Sequence, residues 1–195
     1  MKRTILLAAA MALTTPAAFP AFHLWDIQEV YTNADGSVQF IEFYCAFEGE
    51  FFVGSAQLIF QVNGSPVNTF DFPNDIQGPT TADRTFLAAT GNFEALFGIE
   101  PDYIIPANFL GSGSNRILNF GPGVDSVSLT GLPTNGVSSL DGLEGNDDPA
   151  ATALKAQATP RNYAGQEITI PEPATAWLLG LGALGALARR RRILI

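Results

Sequence analysis

The sequence predicts an all-β body, a sandwich or a barrel, over residues 22–170, with an apolar segment at each end of the chain. Eight short apolar-rich runs recur along this body, and turn residues separate each run from the next. Many short strands at regular spacing are typical of an all-β domain. The runs are Ile27–Tyr31, Val38–Phe47, Ala56–Val62, Val67–Phe72, Thr85–Ala89, Arg116–Phe120, Val124–Thr130 and Glu167–Ile170.

The N-terminal segment, residues 1–21, has the layout of a secretory signal peptide. Lys2 and Arg3 precede the apolar run Ile5–Leu13, and small residues and prolines follow it. The Sec export machinery and signal peptidase recognise such a segment. Three cleavage positions stay open: after Ala17, Ala18 or Ala21. The alternative is an N-terminal membrane anchor, which the short run disfavours because a spanning helix needs about 20 apolar residues.

Turn chemistry and alternation justify the first four strands. The turn 33–36 (NADG) joins the first two runs and Asn63-Gly64 joins the next two, because such residues supply the positive φ values of a tight hairpin. Alternate residues of a strand share one face, and four apolar residues of the second run do so. We assign these four to the core: Ile41, Phe43, Cys45 and Phe47.

The later part of the body carries weaker patterns. Asn92–Phe97 predicts one helical turn closed by Gly98, since glycine commonly ends a helix in the left-handed conformation. Residues 131–164 are rich in Gly, Ser, Asn, Asp and Pro and have few β-branched residues. This composition predicts a long surface loop.

The body also resembles the lamin-tail-type domains. In that family an I-x-E-V strand pairs with an E-F-I-E-L strand, and here Ile27–Tyr31 (IQEVY) is followed by Gln39–Phe43 (QFIEF). Three later stretches are similar to the family's later strands and closing loop: Phe86–Thr90, Asn119–Leu129 and Ala158–Asn162. The resemblance implies an immunoglobulin-like β-sandwich that binds a partner or builds a structure, and it brings no catalytic residue.

The C-terminal segment predicts a single transmembrane helix over residues 174–188. The segment has no charged residue, and four arginines follow it: Arg189, Arg190, Arg191 and Arg192. It is shorter than the usual span of about 20 residues, but the arginines place their end in the cytoplasm and the body outside. A C-terminal core helix is the alternative, and the lack of a polar face disfavours it.

Pro171, Glu172 and Pro173 stand immediately before this segment. The order of Pro-Glu-Pro, a short Gly/Ala/Leu-rich helix and an arginine cluster resembles the PEP-CTERM sorting signal of certain Gram-negative bacteria. The resemblance covers about residues 171–192 of a sorting region over 171–195. It implies processing by exosortase, a membrane-integral, protease-like transpeptidase, and an association with exopolysaccharide and biofilm matrix.

The same resemblance implies a route for the protein. The chain is exported across the inner membrane and transiently anchored by its C-terminal helix, with the body outside. After processing, the body is found at the cell surface or in the extracellular space.

Charge is segregated along the 195-residue chain. The net charge is −9, but six of the ten basic residues lie at the two ends. The interior keeps four basic and all nineteen acidic residues, a net charge of −15. Such a body repels phosphate groups, so nucleic-acid binding is excluded.

Residues suited to catalysis are few. His23 is the only histidine, and it follows the predicted signal cleavage, where a general base lacks an ordered partner. Cys45 is the only cysteine, and its place in an apolar strand predicts a buried small hydrophobe. Metal sites built on several His or Cys residues are excluded by the same counts. We therefore expect a non-enzymatic protein, and the resemblance to PEP-CTERM proteins implies that its partners are exopolysaccharide or other surface proteins.

Carboxylates leave two further hypotheses open. One is calcium binding by an acidic loop, whose oxygens suit extracellular calcium although the spacing is not that of an EF-hand. Its candidate ligands are Asp141, Glu144, Asp147 and Asp148, and we expect no other cofactor. The second is an alternative function, a secreted glycan-active hydrolase with paired carboxylates. The pair would come from Asp26, Glu29, Glu42 or residues 141–148.

Overall fold

The computed structural model describes residues 22–142 and 152–172. Two predicted segments lie outside the described residues: the signal peptide over residues 1–21, and the transmembrane helix over residues 174–188 with the arginines after it. Within the two described ranges, no helix has the length and apolar character needed to cross a membrane.

The described residues form two β-sheets and very little helix. The strands are β1 (Asp26–Thr32), β2 (Gln39–Cys45), β3 (Gln57–Val62), β4 (Ser65–Asp71), β5 (Arg84–Thr90), β6 (Tyr103–Ile105), β7 (Arg116–Phe120), β8 (Asp125–Ser128), β9 (Ser139–Asp141) and β10 (Ala153–Lys155). A short helix, α1 (Phe93–Phe97), and a 3₁₀ turn (Val53–Ser55) accompany them. The six-stranded sheet has the order β10-β9-β1-β2-β5-β6, and the four-stranded sheet has the order β4-β3-β7-β8.

Two hairpin turns form where the turn residues predict them. Between β3 and β4, Asn63 and Gly64 have φ values of 50° and 77°, the two positive values of a type I′ turn. Between β1 and β2, Gly36 has a φ of 70°, and the Asn33 N–H donates to the Val38 carbonyl at 3.0 Å. Both predicted hairpins are therefore confirmed.

The two sheets pack face to face through an aromatic core. Phe43 of β2 stacks on Phe86 of β5 with 4.4 Å between ring centroids, and Phe120 of β7 lies 4.8 Å from Phe43 across the interface. Ile41 and Cys45 are buried in the same cluster, as predicted. Burial of each large apolar side chain contributes roughly 1.5–3 kcal/mol, so this interface is a main source of stability.

The prediction that Phe47 belongs to the core was wrong, because its side chain is 57% exposed. Alternation assigns a face only while the strand continues, and β2 ends at Cys45. Beyond that point the Phe47 N–H donates to the Cys45 Sγ at 3.4 Å, and the Phe47 carbonyl accepts from the Thr81 hydroxyl at 2.7 Å. These bonds hold the backbone in a bend that directs the ring away from the core.

The outer face of the six-stranded sheet is covered as well. A second buried cluster lies there, made of Tyr31, Val38, Phe40, Leu87, Ala89, Phe93, Ile99, Ala158 and Ile170. The helix α1 covers part of this face where one helical turn was predicted, and Gly98 ends it with a φ of 73°. A C-terminal stretch of the chain covers the rest. The central strands of this sheet are therefore buried on both faces.

Residues 131–164 are not one long surface loop, and that prediction was wrong. They contain β9 and β10, which extend the six-stranded sheet beyond β1, and residues such as Leu140 and Ala158 are buried. The predicted strand Glu167–Ile170 joins neither sheet, and its bridge pairs Glu167 with Arg161. Strands of three residues, β6 included, are too short to show a periodic pattern.

Candidate functional site

The stretch that covers the outer face, residues 158–170, is named here the C-terminal strap. Its two arms fold back on each other, because the Ile170 N–H donates to the Ala158 carbonyl at 2.9 Å. A turn joins the arms, and in it the Gly165 N–H donates to the Asn162 carbonyl at 2.9 Å. The strap therefore lies across the six-stranded sheet as a hairpin-like cover.

Glu29 of β1 holds the first arm of the strap. Its side chain is 0% exposed, accepts hydrogen bonds from the Ser139 hydroxyl at 2.6 Å and the Thr159 N–H at 3.0 Å, and forms an ion pair with Lys155. A chain that crosses a sheet face has N–H groups without a strand partner, and a buried donor needs an acceptor. The Glu29 carboxylate supplies that acceptor, and Lys155 compensates its charge.

Glu42 of β2 makes a second contact of the same kind. It is the cross-strand partner of Glu29, is 3% exposed and accepts a hydrogen bond from the Arg161 N–H. Burial raises the pKa of Glu42 to about 8, although the bond from Arg161 opposes the rise, and the charge of Glu29 acts in the same direction as burial. Glu42 is therefore mostly protonated at neutral pH.

Asp102, just before β6, fixes the turn of the strap to the sheet. Its Oδ2 accepts the Leu87 N–H at 2.8 Å and the Tyr163 N–H at 2.9 Å. The Tyr163 hydroxyl also donates to the Thr80 carbonyl. Burial raises the pKa of Asp102, while the two backbone bonds act against that rise. Three carboxylates thus hold the strap along its length.

The strap ends at the surface, beside the Pro-Glu-Pro motif. Ile170 is 1% exposed within the second buried cluster, whereas the next residues, Pro171 and Glu172, are exposed. Pro173, the predicted transmembrane helix and its arginines lie outside the described residues. The folded body therefore extends up to the residue that precedes the motif.

The remaining catalytic candidates lie elsewhere. His23 is exposed, with its Nδ1 3.8 Å from the Glu50 Oε2. Cys45 is buried, as predicted, and burial raises the pKa of its thiol to about 11, which disfavours the reactive thiolate. Of the hydrolase carboxylates, the structure brings Glu29 and Glu42 together, while Asp26 begins β1 opposite Tyr44.

Of the four calcium candidates, only Asp141 is among the described residues. It lies in β9, with Glu29 of β1 and Ala153 of β10 as its cross-strand partners. Glu144, Asp147 and Asp148 lie outside them. In the part of the chain that the structure describes, no group of three or more His, Cys, Asp or Glu side chains could hold a metal ion.

Sequence reasoning missed the residues that hold the strap. They are Asp102, Ser139, Lys155, Thr159 and Arg161. A signal was present, because Glu29 and Glu42 stand in apolar runs, and a carboxylate in a buried strand requires a partner. The sequence pattern does not locate those partners, and most of them fell within the stretch that was predicted to be a loop.

Comparison with known families identifies the C-terminal region. Residues 169–192 match the model of the PEP-CTERM protein-sorting motif. Comparisons with curated proteins and with solved structures give no match, so the lamin-tail-like character of the body stays a prediction. The chain carries a PEP-CTERM protein-sorting motif at its C-terminal end, and this motif supports an exported, exosortase-targeted surface protein.

Proposed function

We propose that this protein is a non-enzymatic cell-surface or extracellular-matrix protein that exosortase processes, and that its β body is a lamin-tail-like binding or structural module. One observation carries the proposal: a PEP-CTERM motif over residues 169–192 begins at the end of a folded two-sheet body. The predicted signal peptide and transmembrane helix fit export through Sec and signal peptidase, followed by anchoring with the body outside.

The motif is accessible where it leaves the body. Pro171 and Glu172 are exposed. Proline fixes its own φ and disfavours the helical conformation of the residue before it, so Pro-Glu-Pro favours an extended chain. An extended and exposed segment is what a membrane-bound transpeptidase requires of its substrate.

A comparison of two hosts tests the processing. In a host with exosortase, we expect the body to lose its C-terminal segment and leave the membrane fraction, and in a host without exosortase we expect it to stay there. Glu172→Ala should slow the loss, whereas Glu167→Ala, the same change in an exposed residue of the strap, should not. An identical mass and membrane location in both hosts would contradict the proposal.

The proposed partner of the body is a neutral exopolysaccharide, and the outer face of the four-stranded sheet supports this choice. Two cross-strand rows lie on that face. The first row holds Thr69, Ile59, Asn119 and Ser126, and the second row holds Gln61, Ile117 and Ser128. Neither row contains a charged residue, although the body as a whole is strongly acidic. Amide and hydroxyl groups beside aliphatic side chains match the hydroxyls and C–H faces of sugars.

Asn119 marks a candidate binding position on this face. A cavity of about 340 Å³ is lined by Asn119, Gly123, Val124, Asp125 and Ser126. The Nδ2 of Asn119 is buried and has no hydrogen-bond partner among the described residues. A buried donor without a partner costs free energy, so rotation of the Asn119 side chain towards an acceptor on a ligand in the cavity would gain affinity.

Binding to pure polysaccharides tests the partner. We expect the protein to bind a neutral glucan more tightly than a polyuronate, because the acidic body repels the latter. Asn119→Asp should weaken glucan binding by about tenfold, which corresponds to one lost hydrogen bond. Asn92→Asp makes the same change at an exposed site beside α1 and should leave binding unchanged. Equal binding of both polymers would count against a neutral partner.

The glycan-active hydrolase is the second candidate. In its favour, Glu29 and Glu42 are adjacent, and a raised pKa suits Glu42 to the role of general acid. Against it, both carboxylates are buried beneath the strap and bind its backbone, whereas glycoside hydrolysis needs two acids on either side of a substrate. Turnover of a matrix glycan that disappears in Glu42→Gln would support the hydrolase.

A further inference from the structure

A row of four polar side chains crosses the outer face of the six-stranded sheet. Glu42 of β2 is opposite Glu29 of β1, and Ser139 of β9 is opposite Lys155 of β10. Glu29 is also opposite Asp141, two residues after Ser139, so the row lies on one face. The Lys155 Nζ contacts the Glu29 Oε2. The fold therefore holds an amine against a buried carboxyl group.

The two oxygens of the Glu29 carboxyl group have different surroundings. Oε2 faces Lys155, whereas Oε1 accepts the Ser139 hydroxyl at 2.6 Å and the Thr159 N–H at 3.0 Å. Two donors on one oxygen stabilise the negative charge that develops there when a nucleophile adds to the carboxyl carbon. The Glu29 side chain is 0% exposed, which strengthens this effect. The two donors thus have the arrangement of an oxyanion hole for attack by the Lys155 amine.

Glu42 places a carboxylic acid beside this pair. Directly opposite residues have Cβ atoms about 4.5–5.5 Å apart, so the side chain of Glu42 stands next to that of Glu29. Burial raises the pKa of Glu42 to about 8, and the charge of Glu29 acts in the same direction. Glu42 therefore carries a proton at neutral pH and is suited to protonate an oxygen that leaves Glu29.

We propose that Glu29 and Lys155 condense into an intramolecular amide bond, which joins β1 to β10 covalently and releases one water molecule. The amine, the two donors on Oε1 and the neighbouring acid together carry this inference. Condensation also removes the buried charge of Glu29, whose desolvation is costly. The bond is a modification of the body itself and depends on neither exosortase nor a ligand.

The step needs no co-reactant, because an ammonium and a carboxylate contain all the atoms of an amide and a water molecule. One proton first moves from the Lys155 Nζ to the Glu29 Oε2. The Nζ lone pair then forms a bond to the Glu29 Cδ, and the Cδ–Oε2 bond breaks. Oε2 leaves as water with a second proton from Glu42, and Glu42 takes a proton back from the nitrogen.

The reaction is slow compared with folding, because an ammonium must lose a proton before it becomes a nucleophile. Lys155 is also partly exposed, so water stabilises its charged form. Against this, well-oriented groups in one molecule react with effective molarities of about 10⁵–10⁸ M. Newly folded protein therefore holds the ion pair, and the amide accumulates with time.

Intact mass spectrometry of the full chain, made in a host without exosortase, tests the bond. During incubation at neutral pH we expect the mass to fall by one water molecule, and a digest to contain one peptide that joins Glu29 to Lys155. The joined peptide distinguishes this bond from water loss at Asp141-Gly142, where a cyclic imide stays within one peptide. Wild-type protein that keeps its full mass and yields no joined peptide after weeks of incubation would overturn the inference.

Two variants test the amine and the acid separately, and circular dichroism spectra like that of the wild type show that they fold. Lys155→Arg keeps the positive charge without the amine, so it should keep its full mass. Glu42→Gln should slow the water loss by about a hundredfold or more, whereas Glu94→Gln, the same change at an exposed residue of α1, should not. Water loss from Lys155→Arg would overturn the amide, and equal rates in Glu42→Gln and the wild type would overturn the role of Glu42.

Discussion

Three carboxyl groups, those of the buried Glu29 and Glu42 and of the exposed Asp102, each accept a backbone N–H from the C-terminal strap. An ionised acceptor makes a stronger hydrogen bond than a neutral one, but burial of its charge is costly. Glu29 and Glu42 meet this cost differently, the first by an ion pair with Lys155 and the second by holding a proton. Substitutions at Lys155 and at Glu42 test the ion pair and the protonated carboxyl group separately.

Removal of the ammonium group of Lys155 should leave Glu29 charged, buried and without its ion-pair partner. We expect Lys155→Ala to lower the free energy of unfolding by about 2–3 kcal/mol, less than the about 3–5 kcal/mol of a fully buried pair because the Lys155 side chain is 32% exposed. Lys155→Arg keeps the positive charge and should recover most of the loss. Urea unfolding measures all three proteins, and equal midpoints for the wild type and Lys155→Ala would contradict the expectation.

The proton on Glu42 predicts a pH dependence of stability. Because the pKa of Glu42 rises from its ordinary value of 4.5 to about 8 in the folded protein, its contribution is fully present below pH 4.5 and is lost as the pH rises through about 8. The free energy of unfolding of the wild type should therefore fall between pH 5 and pH 9. Glu42→Gln cannot ionise and should show a shallower fall, and parallel curves for the two proteins would argue against a protonated Glu42.

Among the elements, the β3–β4 hairpin depends on its turn residues. Gly64 has a φ of 77°, and a Cβ there would meet no atom within 4 Å, so any cost of Gly64→Ala is conformational. We expect a loss of about 1–2 kcal/mol in the free energy of unfolding. Gly91 is equally open and has no positive φ, so Gly91→Ala should be close to neutral. Similar losses in both variants would show that the φ of Gly64 is not the cause.

Elements with local rules were predictable from the sequence. The Asn63-Gly64 turn, the helical turn closed by Gly98 and the longer strands follow from φ preferences and alternation. The sequence did not predict the three-residue strands β6, β9 and β10. Such short strands are defined by the neighbouring strand that they pair with and not by their own residue pattern. The prediction that Phe47 is in the core was wrong for a related reason, because the point where a strand ends depends on tertiary hydrogen bonds.

The candidate site likewise has a part that the sequence predicted and a part that only the fold defines. Pro171, Glu172 and Pro173 form a linear motif, so the sequence alone identified them, and the family match agrees. The residues that hold the strap come from β1, β2, β9, β10 and the loop before β6, and only the fold brings them together. The apolar run Glu167–Ile170 placed Ile170 in the body, but its burial in the second cluster beside Phe93 of α1 is visible only in the fold.

On the scale of the whole molecule, self-repulsion of the acidic body should make stability depend on salt. Between the two ends of the chain lie nineteen acidic and four basic residues. Salt shortens the Debye length from about 30 Å at 0.01 M to about 3 Å at 1 M. We expect the urea midpoint to rise steadily with sodium chloride, and equally with potassium chloride if the effect is screening. A flat response would mean that the charges are already compensated.

Calcium binding by the acidic residues of 141–148 stays a prediction. If it occurs, calcium should raise the unfolding midpoint by more than charge screening alone does. At equal ionic strength, millimolar calcium should raise the unfolding midpoint more than magnesium, because a bound ligand stabilises the folded state by mass action. Asp147→Asn should remove the difference, whereas Glu94→Gln, an acidic residue of α1, should not. Equal effects of the two cations would argue against the site.

The burial of Ile170 also limits how far the body can stand from the membrane before it is processed. From Ile170 to Ala174, where the predicted transmembrane helix begins, an extended chain reaches about 14 Å at most. That distance is less than two Debye lengths at physiological salt, where one is about 8 Å. If the predicted helix anchors the chain, the body over residues 22–170, with eighteen acidic and four basic residues and a net charge of −14, is held against its own repulsion from anionic lipid headgroups. Processing that cuts this tether and releases the body would let the same repulsion move it away from the bilayer without any further energy source.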